Sequence, residues 1–184
     1  MLIKRKHKYR GYSPRYFFAR KERMMKNWSS YIQTTDELNE SRGLRFTDKN
    51  KALWLDALAV LPGMRVLEVG CGGGMFCHRV KEFVPGVDVT GFDLDEGHIR
   101  RAKELFPECR FLVGNAAELP FPDGTFDLCF SHTVAEHIPH DALFGEQLRV
   151  LKPGGRVSVL SVRPRLNIKS PVGCSDEEDA LMQK

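Results

Sequence analysis

The run Val66-Leu67-Glu68-Val69-Gly70-Cys71-Gly72-Gly73-Gly74 constrains this chain most. An apolar stretch, one buried strand long, leads straight into glycines. There the backbone must turn sharply and lie close to whatever sits above it. Met75 to Val84 then reads as a helix closed by Pro85-Gly86, so the turn offers helix N-terminal amides to a ligand. The dinucleotide fingerprint GxGxxG needs a small residue three positions past Gly72. Met75 stands there. The pattern is instead GxGxG over Gly70, Gly72 and Gly74, with the acid Glu68 two residues ahead.

A second signal narrows the ligand. Asp93 lies nineteen residues past Gly74, at the end of a strand marked by Val87, Val89 and Phe92. A carboxylate there can accept hydrogen bonds from both hydroxyls of a ribose. Asp95 is the better N-cap for the next helix, Glu96 to Phe106. Loop and acid together specify an adenosine-like ligand at the carboxyl ends of the first two strands.

The rest of the chain supplies the fold around that pair. Met64 to Val69, Arg110 to Gly114, Phe126 to Ser131 and Arg156 to Val162 read as further strands, with a helix over Pro139 to Leu151 and a turn at Lys152-Pro153-Gly154-Gly155. Strands alternating with helices of about ten residues predict βαβ units and a parallel sheet, an α/β fold. Upstream, Ser13-Pro14 opens a helix to about Trp28, a short helix covers Tyr31 to Asn39, and Asp48 opens a third. In that third helix Leu53, Leu55, Leu58 and Leu61 keep helical spacing until Pro62-Gly63. The expected division is a helical extension over residues 1–47, a ligand-binding domain over 48–163 and a disordered tail over 164–184.

Charge separates the same parts. Residues 1–26 hold ten Lys and Arg against Glu22 alone, whereas the remainder carries a net −5. All four tyrosines fall within the first 31 residues. A basic arm on a mildly acidic body has three readings. Tyr16, Phe17, Trp28 and Tyr31 pack as helices over the cleft; or residues 4–26 bind nucleic acid through Lys4, Arg5, Lys6, Lys8 and Arg10 with interleaved Tyr9 and Tyr12; or they bind an anionic surface. Five cysteines without a CxxC pair argue against a disulfide framework or zinc module. No run approaches the roughly 18 apolar residues of a membrane span, and no secretory signal is recognised. The expectation is a cytoplasmic protein.

From Arg65 to Val157 the chain resembles a class I S-adenosylmethionine-dependent methyltransferase of the small-molecule type grouped as type 11. The segments VLEVGCGGG, VTGFDLDEGHIRRAKE, FLVGNAAELPFPDGTFDLCFS and LRVLKPGGRV occur in the family's order and at its spacings. The resemblance implies a doubly wound, mainly parallel Rossmann-like sheet of order 3-2-1-4-5 with helices on both faces. It implies S-adenosyl-L-methionine as cofactor, S-adenosyl-L-homocysteine as product and a small-molecule acceptor, without a metal. Glu68 and the turn, including Gly70, Cys71, Gly72 and Gly74, would hold the methionine part. Asp93 would take the ribose, with Leu94 beside the adenine and Asn115 and Ala116 at its edge. The family usually has Asp where Asn115 stands, so an uncharged amide oxygen would accept from the adenine amino group. Ser131 and His132 would lie under the transferable methyl.

Methyl transfer is an in-line displacement, for which the protein must align nucleophile, carbon and sulfur away from water. A hydroxyl acceptor also needs a base. The resemblance favours O-methylation with His137, on the loop after the fourth strand, as that base; His132 and His140 are its rivals. Two other classes are weighed: a non-catalytic cofactor-binding module or partner subunit, and an NAD-dependent oxidoreductase, which Met75 opposes. Family members normally continue past the fifth strand with a helix and an antiparallel strand pair. Residues 164–184 are too few for both, so the Arg156 to Val162 strand is expected at a sheet edge, able to pair with a second copy as a homodimer.

Overall fold

The computed structural model of the chain describes residues 27–135 and 137–160. The elements run α1 (Trp28–Tyr31), α2 (Thr35–Gly43), a 3-10 turn (Asp48–Asn50), α3 (Lys51–Leu58), β1 (Arg65–Val69), α4 (Met75–Phe83) and β2 (Asp88–Asp93). They continue with α5 (Glu96–Leu105), β3 (Arg110–Val113), β4 (Phe126–His132), α6 (His140–Val150) and β5 (Leu151–Leu160). The five strands form one sheet of order β3-β2-β1-β4-β5, and every pairing is parallel. This is the doubly wound order expected from the resemblance.

β1 and β4 lie in the middle of the sheet and are apolar on both faces, as parallel strands covered by helices must be. On one face Val66, Leu128 and Phe130 pack with Phe46, Phe76 and Val80. On the other, Leu67, Val69 and Cys129 pack with Leu143 and Val150 of α6. Glu68, on β1 in this core, is fully buried.

The loops tune this frame. The predicted Tyr31 to Asn39 helix is in fact two, α1 and α2. Thr34 separates them because it starts α2 with a capping box: its hydroxyl accepts from the Glu37 amide while the Glu37 side chain accepts from the Thr34 amide. The third helix is shorter than the leucine spacing predicts. α3 stops at Leu58, where Ala59 turns left-handed at φ 43°, and Leu53 and Leu61 face solvent. Only part of that leucine stripe meets the core.

β5 starts five residues earlier than predicted. Phe126 pairs with Leu151, but Leu128 next pairs with Arg156, so residues 152–155 bulge out of the strand. Gly154, at φ 79°, permits the excursion. The predicted turn is thus a bulge inside the strand. Residues 161 and 162, the predicted end of this strand, lie outside the described residues. So do the helix opened at Ser13, the basic cluster, Tyr16, Phe17, the Tyr31 side chain and the 164–184 tail. Among the described residues no helix is long and apolar enough to cross a membrane.

Candidate functional site

The carboxyl ends of β1, β2 and β4 bring the sequence-predicted residues to one end of the sheet. Leaving β1, the chain takes a left-handed conformation at Gly70 (φ 74°), Gly72 (φ 53°) and Gly74 (φ 79°). The amides of Gly70 and Cys71 both donate to the Phe92 carbonyl of β2, at 2.7 and 3.1 Å. The Gly72 amide donates to Asp93 Oδ2 at 2.7 Å, and the Asp95 amide donates to Asp93 Oδ1 at 2.9 Å. Loop and acid are therefore one unit. The two amides fix the Asp93 carboxylate and leave each oxygen a lone pair for a further donor.

Asp95 caps α5 as expected, accepting from the His98 amide at 2.9 Å. It also accepts from the Ser29 amide at 2.7 Å and the Ser29 hydroxyl at 2.8 Å. Burial pushes its carboxyl up, but these bonds outweigh burial and hold it below the usual carboxylate range. His98, in turn, shares a hydrogen bond of 2.8 Å with the Thr35 hydroxyl.

Helix α2 lies directly on the glycine turn. Asn39 Nδ2 donates to the Gly73 carbonyl at 3.0 Å, and Arg42 donates to the carbonyls of Cys71 (2.5 Å) and Gly70 (3.2 Å). A side chain at Gly72 would come within 2.5 Å of Leu38. Glu68 is enclosed: Cys77 Sγ donates to its Oε2 at 3.0 Å, and Arg42 Nη1 lies 3.5 Å from its Oε1. Burial pushes the Glu68 carboxyl up to about 7, against the opposing charge of Arg42. Burial likewise pushes the Cys71 and Cys77 thiols up, so neither is a nucleophile at neutral pH.

The other predicted residues occupy the same end of the sheet with different exposure. Leu94 is half-buried, Asn115 is exposed and Ala116 is buried. The Asn115 amide oxygen accepts from the Ala117 amide at 3.0 Å, so one of its lone pairs is already committed. Ser131 is sealed from solvent, and its hydroxyl has no hydrogen-bond partner among the described residues. His137 is half-buried on the loop after β4, edge-on to the Trp28 ring of α1 with centroids 5.2 Å apart.

The rival histidines are committed elsewhere. His132 is buried, with Nε2 3.0 Å from Arg45 Nη1. Arginine can only donate, so that nitrogen is the acceptor and the proton sits on Nδ1. Burial, reinforced by Arg42 and Arg45, pushes His132 down to about 4. It is too weakly basic to collect a proton at neutral pH. His140 Nε2 donates to the Ala135 carbonyl at 3.0 Å and pins the loop.

Ser29, Thr35, Asn39 and Arg42 escaped the sequence reading. Each acts on a backbone group or side chain 28 to 66 residues away. Thr35, Asn39 and Arg42 lie on α2, whose local signal is the T-x-x-E capping box at Thr34 and Glu37, whereas Ser29 lies on α1.

A sheet of this order, with a glycine turn after β1 and an acid after β2, defines a Rossmann-like nucleoside-binding domain of the methyltransferase type. Residues 67–159 match the methyltransferase domain family, and the chain belongs to it, among the class I S-adenosylmethionine-dependent methyltransferases. It is 37% identical over 126 residues to a 2-methyl-6-phytyl-1,4-hydroquinone methyltransferase of Synechocystis sp., a match covering 66% of this chain and 39% of that protein. It is also 37% identical over 105 residues to a sterol 24-C-methyltransferase of Gibberella zeae, covering 53% and 27%. Among solved structures, a SAM-dependent methyltransferase from Aquifex aeolicus superposes with a TM-score of 0.61 at 25% identity, covering 80% of this chain and 83% of that one. The chain thus spans less than half the length of these curated relatives.

Proposed function

We propose that this protein binds S-adenosyl-L-methionine and transfers its methyl group to a small hydroxyl-bearing acceptor. The observation that carries the reading is the Asp93 carboxylate, locked to the glycine turn by the Gly72 amide and to α5 by the Asp95 amide. A carboxylate so oriented, half-exposed at the ends of β1 and β2, suits a ribose diol. The left-handed turn at Gly70 to Gly74 and the unpartnered Ser131 hydroxyl fit the rest of such a ligand. Leu94, Asn115 and Ala116 would line the adenine.

The cofactor, when bound, supplies a methyl group made electrophilic by a sulfonium. The chain's own contribution is position and proton handling. Glu68, Arg42 and the turn fix the methionine end. His137 accepts the proton of the acceptor hydroxyl as the oxygen attacks, with Trp28 limiting how its ring can turn. The hydroquinone and sterol methyltransferases among the relatives support a small organic acceptor, and the sterol enzyme, a 24-C-methyltransferase, makes carbon the competing attack point.

Thermal shift with S-adenosylmethionine, S-adenosylhomocysteine and NAD in parallel tests the cofactor. A ligand at ~100 Kd adds about 2.7 kcal/mol and raises the melting point by several degrees. Stabilisation by the two S-adenosyl compounds is expected. Stabilisation by NAD alone would overturn the reading.

A further inference from the structure

Helix α2 is joined to the glycine turn more closely than a cover over a cleft requires. Three carbonyls of the turn, those of Gly70, Cys71 and Gly73, each receive a side-chain donor from it. The Arg42 guanidinium also lies 3.5 Å from Glu68 Oε1, an oxygen that accepts no hydrogen bond among the described residues. Arg42 is 5% exposed and Glu68 not at all. A guanidinium cannot shed its proton, so a full positive charge is buried here. A buried ion pair is a poor device for stability alone, because desolvation offsets most of the attraction.

We infer that Arg42 is a positioning residue of the cofactor site, acting through the Gly70–Gly74 turn and the Glu68 carboxylate, so that α2 is part of that site. The inference rests on the function proposed above. Its two forked donors hold adjacent carbonyls and so fix the path of the turn. Its charge acts on Glu68, which is also faced by the Cys77 thiol from α4, the Cys71 thiol from the turn and the Asp93 carboxylate from β2. Among these groups Arg42 supplies the positive charge. With Arg42 in place, Glu68 ionises at lower pH, and its carboxylate beneath the turn attracts the ammonium of the ligand's methionine end through space. Without Arg42, only the Cys77 hydrogen bonds oppose burial and Asp93, and Glu68 keeps its proton to higher pH.

The test uses Arg42→Gln and Arg42→Lys with two readouts. Calorimetry with S-adenosylhomocysteine between pH 6.5 and 8.5 reads binding. A carbon-13 carboxyl titration of the ligand-free chain, with Glu68 assigned through Glu68→Gln, reads its protonation. In the parent, affinity rises with pH as Glu68 ionises. Arg42→Gln should bind at least tenfold more weakly at pH 6.5, recover part of that loss at pH 8.5, and titrate Glu68 at higher pH. Arg42→Lys keeps the charge but not the fork, so its Glu68 midpoint should stay near the parent's while affinity falls between the two. An Arg42→Gln protein weakened equally at every pH, with the Glu68 midpoint unmoved, would reduce Arg42 to a packing contact and overturn the inference. A parent that binds no S-adenosylhomocysteine would sink the proposed cofactor instead, and the Glu68 midpoint would still decide the role of Arg42.

Discussion

Asp93 braces the glycine turn and, in the function proposed above, also presents lone pairs to a ligand. Asp93→Ala would lose both, leaving the Gly72 and Asp95 amides without their acceptor. Asp93→Asn separates the duties better, since the amide oxygen still accepts while the charge and one acceptor position are gone. Two charge-assisted bonds to a diol are worth roughly 1.5–3 kcal/mol each, so Asp93→Asn should weaken S-adenosylhomocysteine at least tenfold in calorimetry. A change under threefold would remove the ribose assignment. Gly72→Val would disturb the turn itself, because a Cβ at φ 53° strains the backbone and strikes Leu38 at 2.5 Å. That variant should lower the melting temperature as well as abolish binding. If His137 is the base proposed above, His137→Ala should reduce turnover on a hydroxyl acceptor by roughly 10²–10⁴ with cofactor affinity unchanged. Equal activity of parent and variant across pH 6–9 would return His137 to a packing role against Trp28.

At the scale of elements, Asp95 joins α5 to α1, since one carboxylate caps α5 and anchors Ser29 of α1. Asp95→Ala loses a cap worth about 1 kcal/mol and the charge-assisted bonds from Ser29, for a loss of about 2–4 kcal/mol in urea unfolding. A loss below 1 kcal/mol would show that α1 docks by other contacts. This anchoring shows where sequence reading stops. The strands, α4 and α5 were legible because burial on a parallel sheet writes apolar runs, and turns write Gly and Pro, within a few neighbouring residues. Asp95 was legible as a cap because its partner is three residues on. Its bond to Ser29, and the grip of Asn39 and Arg42 on the turn, were not, because a side chain bonding a distant carbonyl leaves no periodic trace. The bulge at 152–155 misled for a related reason: Pro153-Gly154-Gly155 spells a turn, and only pairing of Leu151 with Phe126 makes those residues part of a strand.

At the scale of the whole molecule, two buried groups link stability to pH with opposite signs. Glu68, raised by burial to about 7 from 4.5, keeps a proton in the folded chain that the unfolded chain has released between those values. On its account stability falls as pH rises through that window. His132, lowered by burial to about 4 from 6.5, does the reverse: the unfolded chain holds a proton that the folded chain lacks, and stability rises with pH. His98, also lowered by burial, acts on the same side as His132. From about pH 4.5 to 6.5 the opposing contributions leave the parent a shallow curve. Single substitutions should uncover each one. Glu68→Gln removes the falling contribution, so its stability should climb with pH more steeply than the parent's. His132→Asn removes a rising one while its amide oxygen can still accept from Arg45, so its stability should climb less or fall. Urea unfolding at half-unit pH steps, with a constant m-value as control, measures all three slopes. Variant curves offset from the parent but parallel to it would mean that neither group changes protonation on folding, and Glu68 would then enter the site as a carboxylate at every pH where the fold persists.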